Sequence, residues 1–144
     1  MKTILLVEDN LSDIALTKRA FEKGRISKKL VVVEDGQEAL DYLFGEGAQA
    51  DKDTHPLPAV ILLDLKLPKM DGLEVLRRIR KNERTKRLPV VILTSSNEER
   101  DLAECYDMGA NSYIRKPVDF NQFAEAIRQL GLYWLILNEP CPAG

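Results

Sequence analysis

Five short apolar runs punctuate the chain, and four of them end in reactive side chains. Ile4-Leu5-Leu6-Val7 runs into Glu8-Asp9, Val60-Ile61-Leu62-Leu63 into Asp64, and Val90-Val91-Ile92-Leu93 into Thr94. Ser112-Tyr113-Ile114 leads into Arg115-Lys116-Pro117, and Leu30-Val31-Val32-Val33 is the remaining run. Unbroken apolar runs of this length fit strands buried on both faces, as in a parallel sheet. Between them the apolar spacing changes to threes and fours. Leu11, Ile14 and Phe21 share a stripe with Thr17, which predicts a helix over about 11–23 stopped at Gly24. Asp35-Gly36 opens a short helix carrying Ala39, Leu40, Leu43 and Phe44. Pro68-Lys69-Met70-Asp71-Gly72 turns into a helix with Leu73, Leu76 and Ile79, and residues 98–108 form the next, closed by Gly109. Asp119 suits the N-cap of the last helix, in which Phe120, Phe123, Ile127 and Leu130 recur.

Five strand–helix units in succession predict an α/β domain: a doubly wound, five-stranded parallel sheet of flavodoxin-like order 2-1-3-4-5. In such sheets the ligand crevice lies beyond the carboxyl ends of the strands. Glu8, Asp9, Asp64, Thr94 and Lys116 are therefore delivered to one rim. Three carboxylates that close together repel one another unless a cation sits among them, and a hard, oxygen-seeking ion such as Mg2+ resolves the conflict. Lys116 supplies a positive charge opposite the acids, and Thr94 a hydroxyl donor. Phosphoryl transfer needs positioned charge more than proton shuttling, and an aspartate can be the covalent acceptor. Each residue alone is ordinary: strand-end acids often cap helices, and Lys-Pro is a common turn. Their succession on one rim is what carries the reading.

The 144 residues suit one domain, expected to span 1–130, followed by an apolar extension over 131–144. A net charge of −2 and the lack of a Lys/Arg cluster argue against a nucleic-acid partner. The apolar runs are too short to span a bilayer, and Met1-Lys2-Thr3 enters a strand without signal-peptide layout, so a cytoplasmic location is expected. Cys105 and Cys141 lack metal-ligand spacing and read as unrelated thiols. His55, the single histidine, sits in a polar stretch and reads as a solvated loop residue; any phosphohistidine chemistry must then draw on a partner's histidine. The long connection 45–58 is either a spacer or a partner-facing loop. Leu132, Tyr133, Trp134, Leu135, Ile136 and Leu137 exceed what one helix face can bury, and Tyr133, Trp134 and Leu135 are candidate anchors of an interface. The extension can fold back on its own domain, pair with a second copy, or take another partner.

Taken together, Val7-Glu8-Asp9, Leu63-Asp64 with Pro68 and Asp71-Gly72, Thr94-Ser95, Gly109-Ala110 and Lys116-Pro117 resemble the receiver domain of two-component response regulators, over essentially Ile4 to Leu130. The resemblance implies that Asp64 is the phosphoacceptor for a histidine kinase. It implies that Glu8, Asp9, Asp64 and the backbone carbonyl of Lys66 hold Mg2+, with Glu8 reaching the ion through water. Thr94, Ser95 and Lys116 would contact the phosphoryl group, Thr94 and Tyr113 would form the switch pair, and Lys116–Pro117 would be cis. Lys66 and Ser96 would tune the lifetime of the phosphorylated state. The loop 45–58, the stretch Asp107 to Ile114 and Tyr133-Trp134-Leu135 are most similar to single-domain regulators paired with phytochrome kinases, which commonly dimerise. No effector domain follows in the sequence, so output is expected through contacts with a further protein. A Mg2+-dependent aspartyl-phosphate phosphatase is the rival reading. It wants a second acid two residues past the nucleophile, where this chain has Lys66. A receiver-like binding module that is never phosphorylated is a third, opposed by the intact set of site residues.

Overall fold

Strand and helix alternate along the chain: β1 (Ile4–Val7), α1 (Leu11–Lys23), β2 (Leu30–Val33), α2 (Gly36–Phe44), β3 (Val60–Leu63), α3 (Gly72–Lys81), β4 (Val90–Thr94), α4 (Glu99–Asp107), β5 (Ser112–Arg115) and α5 (Phe120–Leu132). The structure is a computed structural model that describes residues 2–26, 29–45, 57–95, 98–116, 119–139 and 141. The strands are parallel and bonded in the order β2-β1-β3-β4-β5, as expected. The Lys116–Pro117 bond, Ser96, His55 and most of the 45–58 connection lie outside the described residues.

Period-two alternation divides the apolar strands between two cores. Leu5 and Val7 of β1 join Ile61 and Leu63 against Leu40, Leu43, Leu76 and Ile79 on the α2–α3 side. Ile4 and Leu6 join Val60 and Leu62 against Phe21, Phe123 and Ile127 on the α1–α5 side. Side chains at N-caps begin four of the helices: Asn10 accepts from the Asp13 N–H, Asp35 from Glu38, Asp71 from Glu74 and Asp119 from Gln122. Each such cap is worth about 1 kcal/mol.

The structure departs from the sequence reading at two places. Leu11, the first residue of α1, is 73% exposed; the buried face is Ile14, Leu16, Thr17, Ala20 and Phe21. Gly24 ends α1 as expected, in a right-handed conformation, and the left-handed residue that follows is Arg25, with φ of 60°. Beyond Leu132 the chain does not leave the helix. It continues through a wider π-type turn, Tyr133–Leu137, closed by the Asn138 N–H donating to the Tyr133 carbonyl at 2.9 Å. Leu135 is thereby turned into the α1–α5 core, with Trp134 half-buried beside it. Of the three residues expected to anchor an interface, Tyr133 alone stays mostly outside, joined there by Ile136 and Leu137.

Candidate functional site

Strand register sets the site. Val7 pairs with both Val33 and Leu63, so the residues that follow, Glu8 and Asp64, leave neighbouring strands at one level. The Glu8 N–H donates to the Val33 carbonyl at 3.0 Å, and the Asp64 N–H to the Val7 carbonyl at 3.1 Å. At the other side Thr94 pairs with Arg115, and the Lys116 N–H donates to the Thr94 carbonyl at 2.8 Å. Each backbone is thus held by the sheet up to the residue that carries the chemistry.

One carboxylate oxygen from each of Glu8, Asp9 and Asp64 lies within 4.8 Å of the others. Glu8 and Asp64 are buried, while Asp9 faces solvent. Glu8 Oε2 accepts the N–H groups of Asp9 at 3.1 Å and Asn10 at 3.3 Å, and its Oε1 meets the Lys116 ammonium. Lys116 Nζ also reaches Asp13 Oδ2 at 2.7 Å and Asp64 Oδ2 at 3.4 Å. The Lys66 N–H donates to Asp64 Oδ1 at 3.3 Å, and the Lys66 side chain is exposed.

The electrostatics record too much negative charge in too little water. Burial, aided by a hydrogen bond and repulsion from Asp64, pushes the Glu8 carboxyl up to about 7, and Lys116 only partly offsets it. Burial works against the Lys116 ammonium, yet its bonds to Asp13 and Glu8 and the field of Asp64 outweigh that and hold its pKa above the ordinary lysine value. Four carboxylates share this rim and three of them already share one ammonium. A set of converging, hard oxygen donors with surplus charge fits a divalent cation.

Backbone packing keeps Asp64 in place. A Cβ on Gly72 would lie 2.3 Å from the Asp64 carbonyl oxygen and 2.8 Å from Leu65 Cα, so only glycine lets the start of α3 close against the end of β3. The Gly72 N–H donates to the Leu65 carbonyl at 3.0 Å across the same approach.

Matching this geometry, the model of the response regulator receiver domain fits residues 4–128. The chain belongs to the response regulator receiver family. The probable methanogenesis regulatory protein FilR2 of Methanothrix harundinacea is 42% identical over 97% of this chain and 88% of its own. The response regulator Rcp1 of Synechocystis is 37% identical over 93% of this chain and 89% of its own. Among solved structures, the phosphorylated cyanobacterial phytochrome response regulator RcpA superposes with a TM-score of 0.89 at 39% identity, covering 98% of this chain and 99% of that one. The Mn2+-bound form of Rcp1 superposes at 0.87 with 34% identity, over 99% of this chain and 100% of that one. The family is one of signalling receivers rather than conventional enzymes. Among the described residues no helix is long and apolar enough to cross a membrane.

The fold brings Glu8, Asp9, Asp64, Thr94 and Lys116 of this receiver to one rim, with Thr94 fully buried at the end of β4 and Ser95 exposed just past it. Tyr113 sits on β5 in register with Ile92, half-buried against the α2–α3 core. Asp13 was not singled out from the sequence, although it is bonded to Lys116. Its signal was there: it follows the N-cap Asn10 by three, which puts it in the first helical turn directly after the acidic strand end.

Proposed function

We propose that Asp64 of this receiver accepts a phosphoryl group from the phosphohistidine of a sensor kinase. An Asp64 carboxylate oxygen attacks phosphorus, a P–O bond forms, and the P–N bond to the kinase imidazole breaks. What supports this reading is a single arrangement: three carboxylate oxygens within 4.8 Å of one another, with the ammonium of Lys116 reaching the buried Asp64. Glu8, Asp9, Asp64 and the Lys66 carbonyl would hold Mg2+, which when bound neutralises surplus acid charge and draws phosphoryl oxygens toward the rim. Lys116 supplies a positive charge to those oxygens, and Thr94 and Ser95 supply hydroxyl donors, so the charge of transfer is met by side chains of the same rim. Lys66 and Ser96 tune how long the phosphoryl group survives.

In this reading Thr94 swings toward the phosphoryl group and Tyr113 turns into the space behind it. A local charge change thereby biases a two-state element comprising β4, α4 and β5. The kinase is of phytochrome type, in keeping with the relatives named above, and the protein works in the cytoplasm as a homodimer that signals through protein contacts. An exposed lysine at position 66, where a phosphatase would need an acid, favours a receiver over an enzyme that turns over external phosphates.

Incubation with acetyl phosphate and Mg2+, followed by intact-mass measurement, tests the reading. One added phosphoryl group is expected, absent in Asp64→Ala and absent when the metal is chelated. Labelling that persists in Asp64→Ala reassigns the acceptor.

A further inference from the structure

Asp13 occupies the third position of α1, where an acid after an N-cap asparagine is expected to reach back to the cap's own N–H. That reciprocal bond is not made. The Asn10 N–H donates to Glu8 Oε2 instead, and the Asp13 carboxylate turns to Lys116 Nζ at 2.7 Å, closer than the 3.4 Å from Lys116 to Asp64. An ammonium has three N–H bonds. Glu8, Asp13 and Asp64 take all three.

A phosphoryl oxygen that comes to Lys116 must therefore displace one acceptor. The three differ in what release costs them. The side chains of Glu8 and Asp64 are 3% and 8% exposed, whereas that of Asp13 is 27% exposed. A carboxylate at the edge regains water when it lets go, and a buried one does not. Asp13 is also outside the trio of acids whose oxygens converge within 4.8 Å of one another, the set that would hold a cation.

We propose that Asp13 is a positioning residue that competes with the phosphoryl group for Lys116, holding the ammonium toward α1 at rest and yielding it when Asp64 is phosphorylated. This rests on Asp64 being the phosphoacceptor. Asp13 then acts as a built-in counterweight, lowering the affinity of the site for the phosphoryl group without touching it. Thr17 Oγ donates to the Asp13 carbonyl and Asn10 accepts the Asp13 N–H, so the backbone position survives loss of the side-chain charge.

The test is a 19F NMR titration of the full chain with beryllofluoride, a stable phosphoryl mimic, in saturating Mg2+. Asp13→Asn is expected to bind the mimic about tenfold more tightly than wild type, and Asp13→Glu, which restores the carboxylate, to return toward wild type. A contact pair resists screening, so the ratio is expected to persist from about 0.05 M to about 0.5 M NaCl, whereas a diffuse charge effect shrinks to nothing. The 15N resonance of the Lys116 ammonium is expected to move in resting Asp13→Asn before any mimic is added, a change that a helix-capping role alone does not produce. Equal or weaker binding by Asp13→Asn, or a ratio that vanishes with salt, overturns the inference while leaving the phosphoacceptor reading intact. Failure of wild type to take up the mimic overturns that reading, and this inference with it.

Discussion

Glu8 shows most plainly how a single side chain feels this fold. Its carboxyl is raised from 4.5 to about 7 by burial first and by Asp64 second. An acid whose folded pKa lies above its unfolded one takes up a proton on folding, so the stability it contributes is complete below about 4.5 and is lost as pH rises through about 7. Denaturant midpoints of the metal-free protein are expected to fall across that window in wild type and to lose that component in Glu8→Gln. An unchanged slope in the variant shows that Glu8 does not carry the effect. Gly72 makes the complementary case, in which absence of a side chain is what matters. Gly72→Ala puts a methyl against the Asp64 carbonyl and is expected to cost about 2–3 kcal/mol in urea unfolding and to slow phosphorylation from acetyl phosphate. A stability within error of wild type means that α3 can retreat from β3 freely.

Helices here do two jobs, and α5 with its π-type continuation shows both. The face toward α1 completes a core with Phe123, Ile127 and Leu135, while Tyr133, Ile136 and Leu137 are left outside. Leu135→Ala is expected to destabilise the domain by about 2–4 kcal/mol, as loss of a buried leucine does. Leu137→Ala, at 74% exposure, is expected to change stability by no more than about 0.5 kcal/mol. Similar unfolding midpoints for the two variants contradict the packing described. The C-terminal end of α3 is tied down in another way. Arg80 donates to the carbonyls of Leu88 at 2.8 Å and Lys86 at 3.1 Å, and to Asn111 Oδ1 at 3.1 Å and the Gly109 carbonyl. One side chain therefore joins α3, the entry to β4 and the turn before β5. Gly109, at φ of 91°, makes that turn possible.

For the assembled protein, the division between a buried Leu135 and an exposed Ile136 and Leu137 sharpens the proposed homodimer. A symmetric pair built on this surface has to use Tyr133, Ile136 and Leu137, because Leu135 is already committed inside. Light scattering of Ile136→Ser/Leu137→Ser is expected to give half the mass of wild type, with the unfolding midpoint unchanged. A variant that keeps the wild-type mass removes this surface from the dimer. Such a test separates association from folding, which truncation after Leu130 cannot do, since truncation also strips Leu135 from the core.

Strand positions, helix positions and the side chains gathered on the rim were legible in the primary structure because each rests on short-range patterns. A buried parallel strand needs a continuous apolar run, a surface helix needs a stripe at threes and fours, and side chains at strand ends must emerge at the sheet's edge. Hence Asp64, Asp9, Thr94 and Lys116 could be picked out in advance. Three features could not: Asp13 against Lys116, Leu135 facing inward, and Leu11 facing out. Asp13 and Lys116 are brought together by α1 packing against α5, an adjacency no local spacing encodes. Leu135 faces inward because the helical path runs on past Leu132 and puts it on the face of Ile127, and Leu11, at the first position of α1, stays exposed. Local order follows from periodicity. Which charges share a proton or a partner, and which apolar groups stay wet, depends on distances that exist only once the chain has closed on itself.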